Sequence, residues 1–226
     1  MQRLDALAVK LATSDDRGTP GDAATHLTTS TQSYISIRAN MADLVADLLV
    51  TVDGYASGKD VGPFFGYSGS DPDIWVCQAL AQPHRVLMGR VTYEAMAAIS
   101  SAATDKVSER MNDLPKVVFS NTLEEPLAWK NTRLLRGDLA DTIRRLKQQS
   151  GTPLRSIGSV TLVNGLMKLG SVDQLRLSAF PLTLGADGQD PAYAGLPPAN
   201  LELIESKIPD SRLVMLNYRT RTTARQ

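Results

Sequence analysis

Residues 85–94 combine a glycine, an arginine and a threonine at a spacing that suits phosphate binding. The mostly apolar run of residues 85–88 ends at Gly89, where the missing side chain lets a ligand approach the backbone. Arg90 follows with a planar fork of donors, and Thr92 is predicted to N-cap the helix that comes next. The open N–H groups of a helix start attract anions. A solvated surface arginine is the alternative, and this stretch alone leaves both interpretations open.

Two further turns carry small polar residues behind predicted strands. Gly158 and Ser159 separate one strand from a helix, whose first N–H groups are again free for an anion. Ser120 and Asn121 lie at the end of another strand. Neither glycine turn contains the GxGxxG pattern, so a conventional Rossmann domain is not supported.

The composition argues against several function classes. The 226 residues include 24 Lys and Arg against 24 Asp and Glu, whereas nucleic-acid and anionic-membrane binders normally carry a basic excess. The chain has one cysteine, Cys77, and two histidines, His26 and His84. These numbers argue against a disulfide framework and against a Cys- or His-based metal centre. No apolar run approaches the roughly 20 residues that span a bilayer, and the N-terminus lacks the apolar core of a signal peptide. We therefore expect a cytoplasmic protein that binds no metal, nucleic acid or membrane.

Strand and helix patterns alternate after a polar N-terminal segment. We expect a mobile leader over residues 1–40 and one domain over residues 41–222. Predicted helices cover residues 71–81, 93–99, 138–149 and 160–169. Predicted strands cover residues 44–52, 85–88, 115–120, 132–135, 154–157 and 172–184, and a closing hairpin pairs 201–208 with 211–220. This alternation predicts an α/β fold with a mostly parallel sheet and an antiparallel C-terminal hairpin. Ligands of such sheets bind beyond the carboxyl ends of the strands, and the free sheet edges are compatible with a homodimer.

Six segments, taken in order, resemble the dihydrofolate-reductase-like superfamily. Within it, the chain is most similar to the C-terminal reductase domain of the bifunctional riboflavin-biosynthesis deaminase–reductase. The resemblance runs from about residue 42 to residue 220, about four-fifths of the chain. The segments that carry it are 52–54 (VDG), 88–94 (MGRVTYE), 116–120 (KVVFS), 157–162 (IGSVTL), 170–177 (GSVDQLRL) and 181–185 (PLTLG). The resemblance implies a three-layer fold that binds NADPH and reduces a pyrimidine- or pterin-like heterocycle by hydride transfer. A zinc deaminase needs a Pro-Cys-x-x-Cys pattern, which one cysteine excludes, so the resemblance is to a stand-alone reductase.

The resemblance also implies roles for individual residues. Gly89 and Thr92 would lie at a cofactor phosphate, Arg90 at the 2′-phosphate and Leu49 near the nicotinamide. Ser120 and Asn121 would flank the adenosine end, and the pyrophosphate would lie on Gly158, Ser159, Val160 and Thr161. Many relatives carry a second glycine at position 159, where a serine side chain either crowds the pyrophosphate or donates a hydrogen bond to it.

Two carboxylates and two aromatic residues are the candidates for the substrate side. By the same resemblance Asp73 would hold the substrate, although an aspartate in a first helical turn is also favoured by the helix dipole. Asp53 is the second candidate, and its alternative is a simple Asp-Gly turn. Tyr55 and Trp75 could stack on a flat heterocycle, and core packing explains Trp75 equally well. The function alternatives are a non-catalytic nucleotide-binding protein, a dihydrofolate-reductase-type activity, and a flavin or deazaflavin in place of NADPH.

Overall fold

The computed structural model describes residues 41–67, 76, 77, 79–209 and 212–221. The predicted leader, the first turn of the predicted helix 71–81 and the tip of the closing hairpin therefore lie outside the described residues. Residues 76, 77 and 79–81 of that helix are helical, as predicted. None of the helices in the described part of the chain is long and apolar enough to cross a membrane.

The described residues form strands and helices that alternate along the chain. The strands are β1 Leu44–Thr51, β2 Tyr55–Gly58, β3 Arg85–Gly89, β4 Lys116–Phe119, β5 Thr132–Leu135, β6 Leu154–Ile157, β7 Gln174–Phe180, β8 Gly188–Pro191, β9 Asn200–Lys207 and β10 Val214–Arg221. The helices are α1 Arg90–Ser100, α2 Lys106–Asp113, α3 Leu139–Gln149 and α4 Val160–Lys168.

An eight-stranded sheet forms the centre of the domain, with the strand order β5-β4-β3-β6-β1-β7-β10-β9. The strands are parallel from β5 to β7, whereas β10 is antiparallel to β7 and β9 is antiparallel to β10. β2 and β8 form a separate two-stranded antiparallel ribbon.

Apolar residues bury both faces of the sheet, which gives three layers. On one face, alternate β1 residues such as Leu44 and Leu48 pack with Ile143 of α3 and Leu166 of α4. On the other face, β3 and β4 residues pack with α1 and α2 around the buried Trp129. Helices on both sides of a mostly parallel sheet confirm the predicted α/β architecture and its antiparallel C-terminal hairpin.

The cap of α3 confirms a local prediction, whereas the cap of α1 corrects one. Asp138 precedes α3, and its side chain accepts a hydrogen bond from Asp141 N at 2.9 Å. α1 begins at Arg90 with Gly89 as its N-cap, so the prediction that Thr92 caps this helix is wrong. Gly89 is extended at φ −85° and ψ 172°, and glycine is itself a good N-cap residue, so the helix starts three residues earlier than predicted.

Three other elements differ from the sequence-based expectation. β7 ends at Phe180, because Pro181 has no N–H with which to continue a strand. α2 was not predicted, although Asp105 caps it by accepting from Ser108 N at 3.0 Å. The ribbon of β2 and β8 was not predicted either, because its short strands do not alternate between apolar and polar residues.

β9 is an edge strand whose residues are mostly exposed, and the predicted homodimer stays a prediction.

Candidate functional site

The predicted phosphate-binding turns meet at one edge of the sheet. β3, β6 and β1 are neighbouring parallel strands, so their carboxyl ends lie side by side. Gly89 ends β3, the turn at Gly158 follows β6, and residues 52–54 follow β1. Ser120 follows β4, whose last residue, Phe119, pairs with Gly89. The structure therefore brings the sequence-predicted turns together at the edge where such sheets bind ligands.

Gly89 and Ser159 join two of these turns directly. The N–H of Gly89 donates a hydrogen bond to Ser159 Oγ at 3.0 Å, although the two residues are 70 positions apart. Gly158 and Ser159 are both left-handed, with φ values of 58° and 62°, and Gly158 N donates to the carbonyl of Asp47 at 3.1 Å. A Cβ on Gly89 would lie 2.7 Å from Ser159 Oγ, so the two turns are in close contact.

The starts of α1 and α4 both point N–H groups towards this edge. Their N-cap residues are Gly89 and Ser159, and neither forms a side-chain capping hydrogen bond. Val160 and Thr161 form the first turn of α4. Thr92 lies beside the turn formed by Gly158 and Ser159, because Thr92 Cγ2 is the nearest heavy atom, at 3.8 Å, to a Cβ built on Gly158. Two uncapped helix starts on adjacent strands form an environment that attracts a polyanion.

Arg90 is the first residue of α1 and stays accessible. Its Nη1 donates to both carboxylate oxygens of Glu94, at 3.1 and 2.8 Å, one helical turn away. Both side chains are 47% exposed, and exposed pairs of this type contribute little to stability. The guanidinium is thus oriented by Glu94 while its other donors remain available for an incoming anion.

Ser120 and Asn121 organise the loop that follows β4. Ser120 Oγ accepts from the N–H groups of Thr122 and Leu123, both at 3.1 Å. Asn121 Oδ1 accepts from Gly137 N at 3.0 Å. These bonds hold the loop beside the carboxyl edge, and contact with the adenosine end of a cofactor stays a prediction.

Asp53 anchors a neighbouring segment. Its carboxylate accepts from Thr51 Oγ1 at 2.5 Å, Leu184 N at 2.9 Å and Gly185 N at 2.8 Å. The bond from Thr51 Oγ1 and the bonds from the two N–H groups lower the pKa of Asp53, so its carboxylate stays ionised at neutral pH. The geometry favours an anchoring role over delivery of a proton, while the predicted catalytic role remains untested.

Of the remaining predicted site residues, Leu49 and Tyr55 lie within the described residues, on either side of Asp53 in the chain. Leu49 is half-buried in β1, on the face opposite that of Leu48. Tyr55 lies against β8, so closely that a Cβ on Gly188 would be 2.4 Å from its ring. Asp73 and Trp75 fall outside the described residues, and their roles stay predictions.

A buried ionic network that the sequence did not predict lies behind the carboxyl edge. Asp47 is 7% exposed, its Oδ1 lies 2.6 Å from Arg176 Nε, and its Oδ2 accepts from Arg155 Nε. Arg155 Nη1 donates to the carbonyl of Ala79 at 2.9 Å, which links the network to the helical residues 79–81. His84 is also buried, and burial lowers its pKa. The signal for this network was an aspartate in the middle of the apolar β1 run.

No group of three or more His, Cys, Asp or Glu side chains within the described ranges could hold a metal ion. The groups that the carboxyl edge does present are helix N–H groups, an arginine and hydroxyl groups, and all of these can bind phosphate.

The comparisons with known proteins agree with this architecture. The model of the family described as the RibD C-terminal domain matches residues 42–215. The uncharacterized protein YyaP of Bacillus subtilis (strain 168) is 25% identical over 180 residues, which cover 77% of this chain and 93% of that protein. A pyrimidine reductase-like protein from Corynebacterium diphtheriae superposes with a TM-score of 0.61 at 12% identity, over 82% of this chain and 94% of its own. The diaminohydroxyphosphoribosylaminopyrimidine deaminase/5-amino-6-(5-phosphoribosylamino)uracil reductase of Thermotoga maritima gives 0.57 at 12% identity, over 83% of this chain and 59% of its own. At such low identities, the solved structures establish the shared fold alone.

Proposed function

The chain belongs to the RibD C-terminal domain family, and from this premise we propose that it is an NADPH-dependent reductase of a pyrimidine- or pterin-like heterocycle. Membership supports a role like that of the pyrimidine reductases of riboflavin biosynthesis, and the proposed reaction resembles that of 5-amino-6-(5-phosphoribosylamino)uracil reductase. The observation that carries the proposal is the pair of uncapped helix starts, at Gly89 and Ser159, brought together on neighbouring parallel strands.

The residues at the carboxyl edge fit a dinucleotide with a 2′-phosphate. Apart from its chain neighbours, the heavy atom nearest to a Cβ built on Gly158 would be Thr92 Cγ2 at 3.8 Å, so no other side chain presses closely on this turn. The first N–H groups of α1 and α4 would bind the pyrophosphate, and the guanidinium of Arg90 would bind the 2′-phosphate. NADH lacks the 2′-phosphate, so the position of Arg90 favours NADPH.

When bound, NADPH supplies a hydride, and the residues of the chain hold and orient the reactants. Glu94 orients Arg90 through two hydrogen bonds before any ligand arrives. Leu49 and residues 52–54 would border the nicotinamide end, where Asp53 holds the loop to Leu184 and Gly185. On the substrate side, we propose that Asp73 binds the heterocycle and that Tyr55 and Trp75 stack on it.

Replacing Arg90 tests the cofactor assignment. We expect Arg90→Gln to weaken NADPH binding by about tenfold or more, because a charge-assisted contact with a phosphate is lost, and to leave NADH binding unchanged. Arg144→Gln is the matched control, since Arg144 forms a similarly exposed helical pair with Asp141 at 2.9 Å, on α3. Calorimetric titration of both variants measures the effect. Equal NADPH affinity in Arg90→Gln and wild type would remove Arg90 from the site.

A substrate panel separates catalysis from binding alone. NADPH oxidation would be followed at saturating cofactor with aminopyrimidines and pterins as candidate substrates. Oxidation with an aminopyrimidine supports the proposal, and oxidation with dihydropterins only would indicate a dihydrofolate-reductase-type activity. Tight NADPH binding without turnover of any member would favour the non-catalytic nucleotide-binding alternative.

A further inference from the structure

Ser159 extends the contact between β3 and β6 beyond their backbone pairing. The parallel pairing of these strands runs from Arg85 opposite Leu154 to Leu87 opposite Ser156. Two residues later, at the last residue of β3, the N–H of Gly89 donates a hydrogen bond to the hydroxyl of Ser159 at 3.0 Å, where the β3–β6 pairing has already ended. A side chain therefore continues the hydrogen bonding at the point where α1 and α4 begin.

The backbone of Ser159 is unfavourable for a residue with a side chain. Its φ of 62° and ψ of 64° are left-handed, a conformation that glycine adopts far more readily. The side chain does not cap α4, so its observed contact is the bond from Gly89. The hydrogen bond that Ser159 Oγ accepts from Gly89 joins the two turns and offsets part of the free-energy cost of the left-handed backbone at Ser159.

The glycine at position 89 is required by that hydroxyl. Gly89 has φ −85° and ψ 172°, an extended conformation that any residue adopts. The heavy atom that a Cβ at this position would meet is Ser159 Oγ, at 2.7 Å. The need for glycine at position 89 therefore comes from the partner side chain and not from the local backbone.

We propose that Ser159 is a positioning residue that fixes the spacing between the starts of α1 and α4. In the same proposal, which rests on the proposed function, the hydroxyl proton of Ser159 points towards the cofactor pyrophosphate. The bond from Gly89 uses a lone pair of Oγ and leaves the hydroxyl proton for another acceptor. The N–H groups of Val160 and Thr161 begin α4 immediately after it. The hydroxyl and these N–H groups would together bind phosphate oxygens, and a serine at this position would donate to the pyrophosphate and not crowd it.

Two variants at position 159 test this role by binding measurements. Ser159→Ala and Ser159→Gly both remove the hydroxyl, but only the glycine variant relaxes the left-handed backbone. We expect both to weaken NADPH and NADH by about tenfold each, because the pyrophosphate is common to the two cofactors and a charge-assisted hydrogen bond is lost. Arg90→Gln differs, since it affects NADPH alone. Ser206→Ala, on the exposed strand β9, is the control and should bind like wild type.

A double-mutant cycle tests the contact between the turns without any cofactor. Gly89→Ala should lower the melting temperature of the wild type, because the new Cβ meets Ser159 Oγ. The same change in the Ser159→Gly background should have almost no effect. Additive losses would overturn the proposed contact.

The outcomes separate this inference from the function on which it rests. Retained tight binding of NADPH by Ser159→Gly and Ser159→Ala would overturn the positioning role while leaving the proposed function intact. Failure of the wild type to bind either dinucleotide would overturn the proposed function and the cofactor role of Ser159 together.

Discussion

The buried carboxylate of Asp47 offers the largest predicted effect on stability. We expect Asp47→Asn to lower the free energy of unfolding by about 3–5 kcal/mol, as when one partner of a buried ion pair is removed. One carboxylate oxygen lies 2.6 Å from Arg176 Nε and the other accepts from Arg155 Nε. An amide keeps the volume but loses the charge that faces both guanidiniums. Arg155 is 8% exposed, and burial already lowers the pKa of Arg176, so neither cation is well solvated by water.

Guanidinium chloride unfolding at pH 7, followed by tryptophan fluorescence, measures this loss. In a domain of this size, it corresponds to a fall in melting temperature of roughly 10 °C. The control is Asp113→Asn, the same substitution in an exposed pair. Asp113 lies 3.0 Å from Lys130 and both side chains are at least 60% exposed, so we expect no resolvable change in the free energy of unfolding. A loss below about 1 kcal/mol for Asp47→Asn would refute the argument that this network is a buried, mutually dependent set of charges.

Three further predictions concern two buried ionisable side chains and one close packing contact. Burial lowers the pKa of His84 below 6.5, so the free energy of unfolding should fall as the pH drops below about 6.5, by at most about 1.4 kcal/mol per pH unit. Chemical unfolding between pH 5 and pH 7.5 measures this pH dependence of the free energy of unfolding. The His84→Gln variant should show a flatter dependence, and an unaltered slope would contradict the assignment to His84. Burial lowers the pKa of Lys116 from 10.5 to about 8, so stability should rise with pH between these values, by up to about 3 kcal/mol. The Lys116→Met variant should lack that rise in stability. If its stability rises with pH in parallel with that of the wild type, the buried lysine is not the source of the rise. Gly188→Ala should lower stability by about 1–3 kcal/mol in thermal unfolding because its Cβ meets the Tyr55 ring, whereas Gly151→Ala, with open space around it, should be neutral.

The sequence was informative wherever a local pattern alone determines an element. β1 and β3 are apolar runs buried on both faces, and α3 begins at an aspartate that caps it, so both kinds of element were predicted. α2 was missed because its side chains are mostly polar and its burial depends on contacts such as that between Asn112 and Trp129. The ribbon of β2 and β8 was missed because its pairing joins residues at least 130 positions apart.

The candidate site shows the same division between local and tertiary information. Gly89 and Gly158 were identified because a glycine between a strand and a helix is visible in the sequence. The bond from Gly89 to Ser159 could not be predicted, since it depends on β3 and β6 being neighbours in the sheet. The hydrogen bonds that Asp53 accepts from Leu184 and Gly185 also form only after folding, and they support an anchoring role for that carboxylate, while its catalytic role stays a prediction.

Titration of the wild-type protein with NADPH and with NADH tests the central claim most directly. Tryptophan fluorescence would follow binding and calorimetry would confirm it. We expect saturable binding of both dinucleotides, tighter for NADPH because Arg90 would bind the 2′-phosphate. Binding of neither would contradict the claim that the two helix starts at the carboxyl edge form a cofactor site, and equal affinity for both would contradict the role of Arg90.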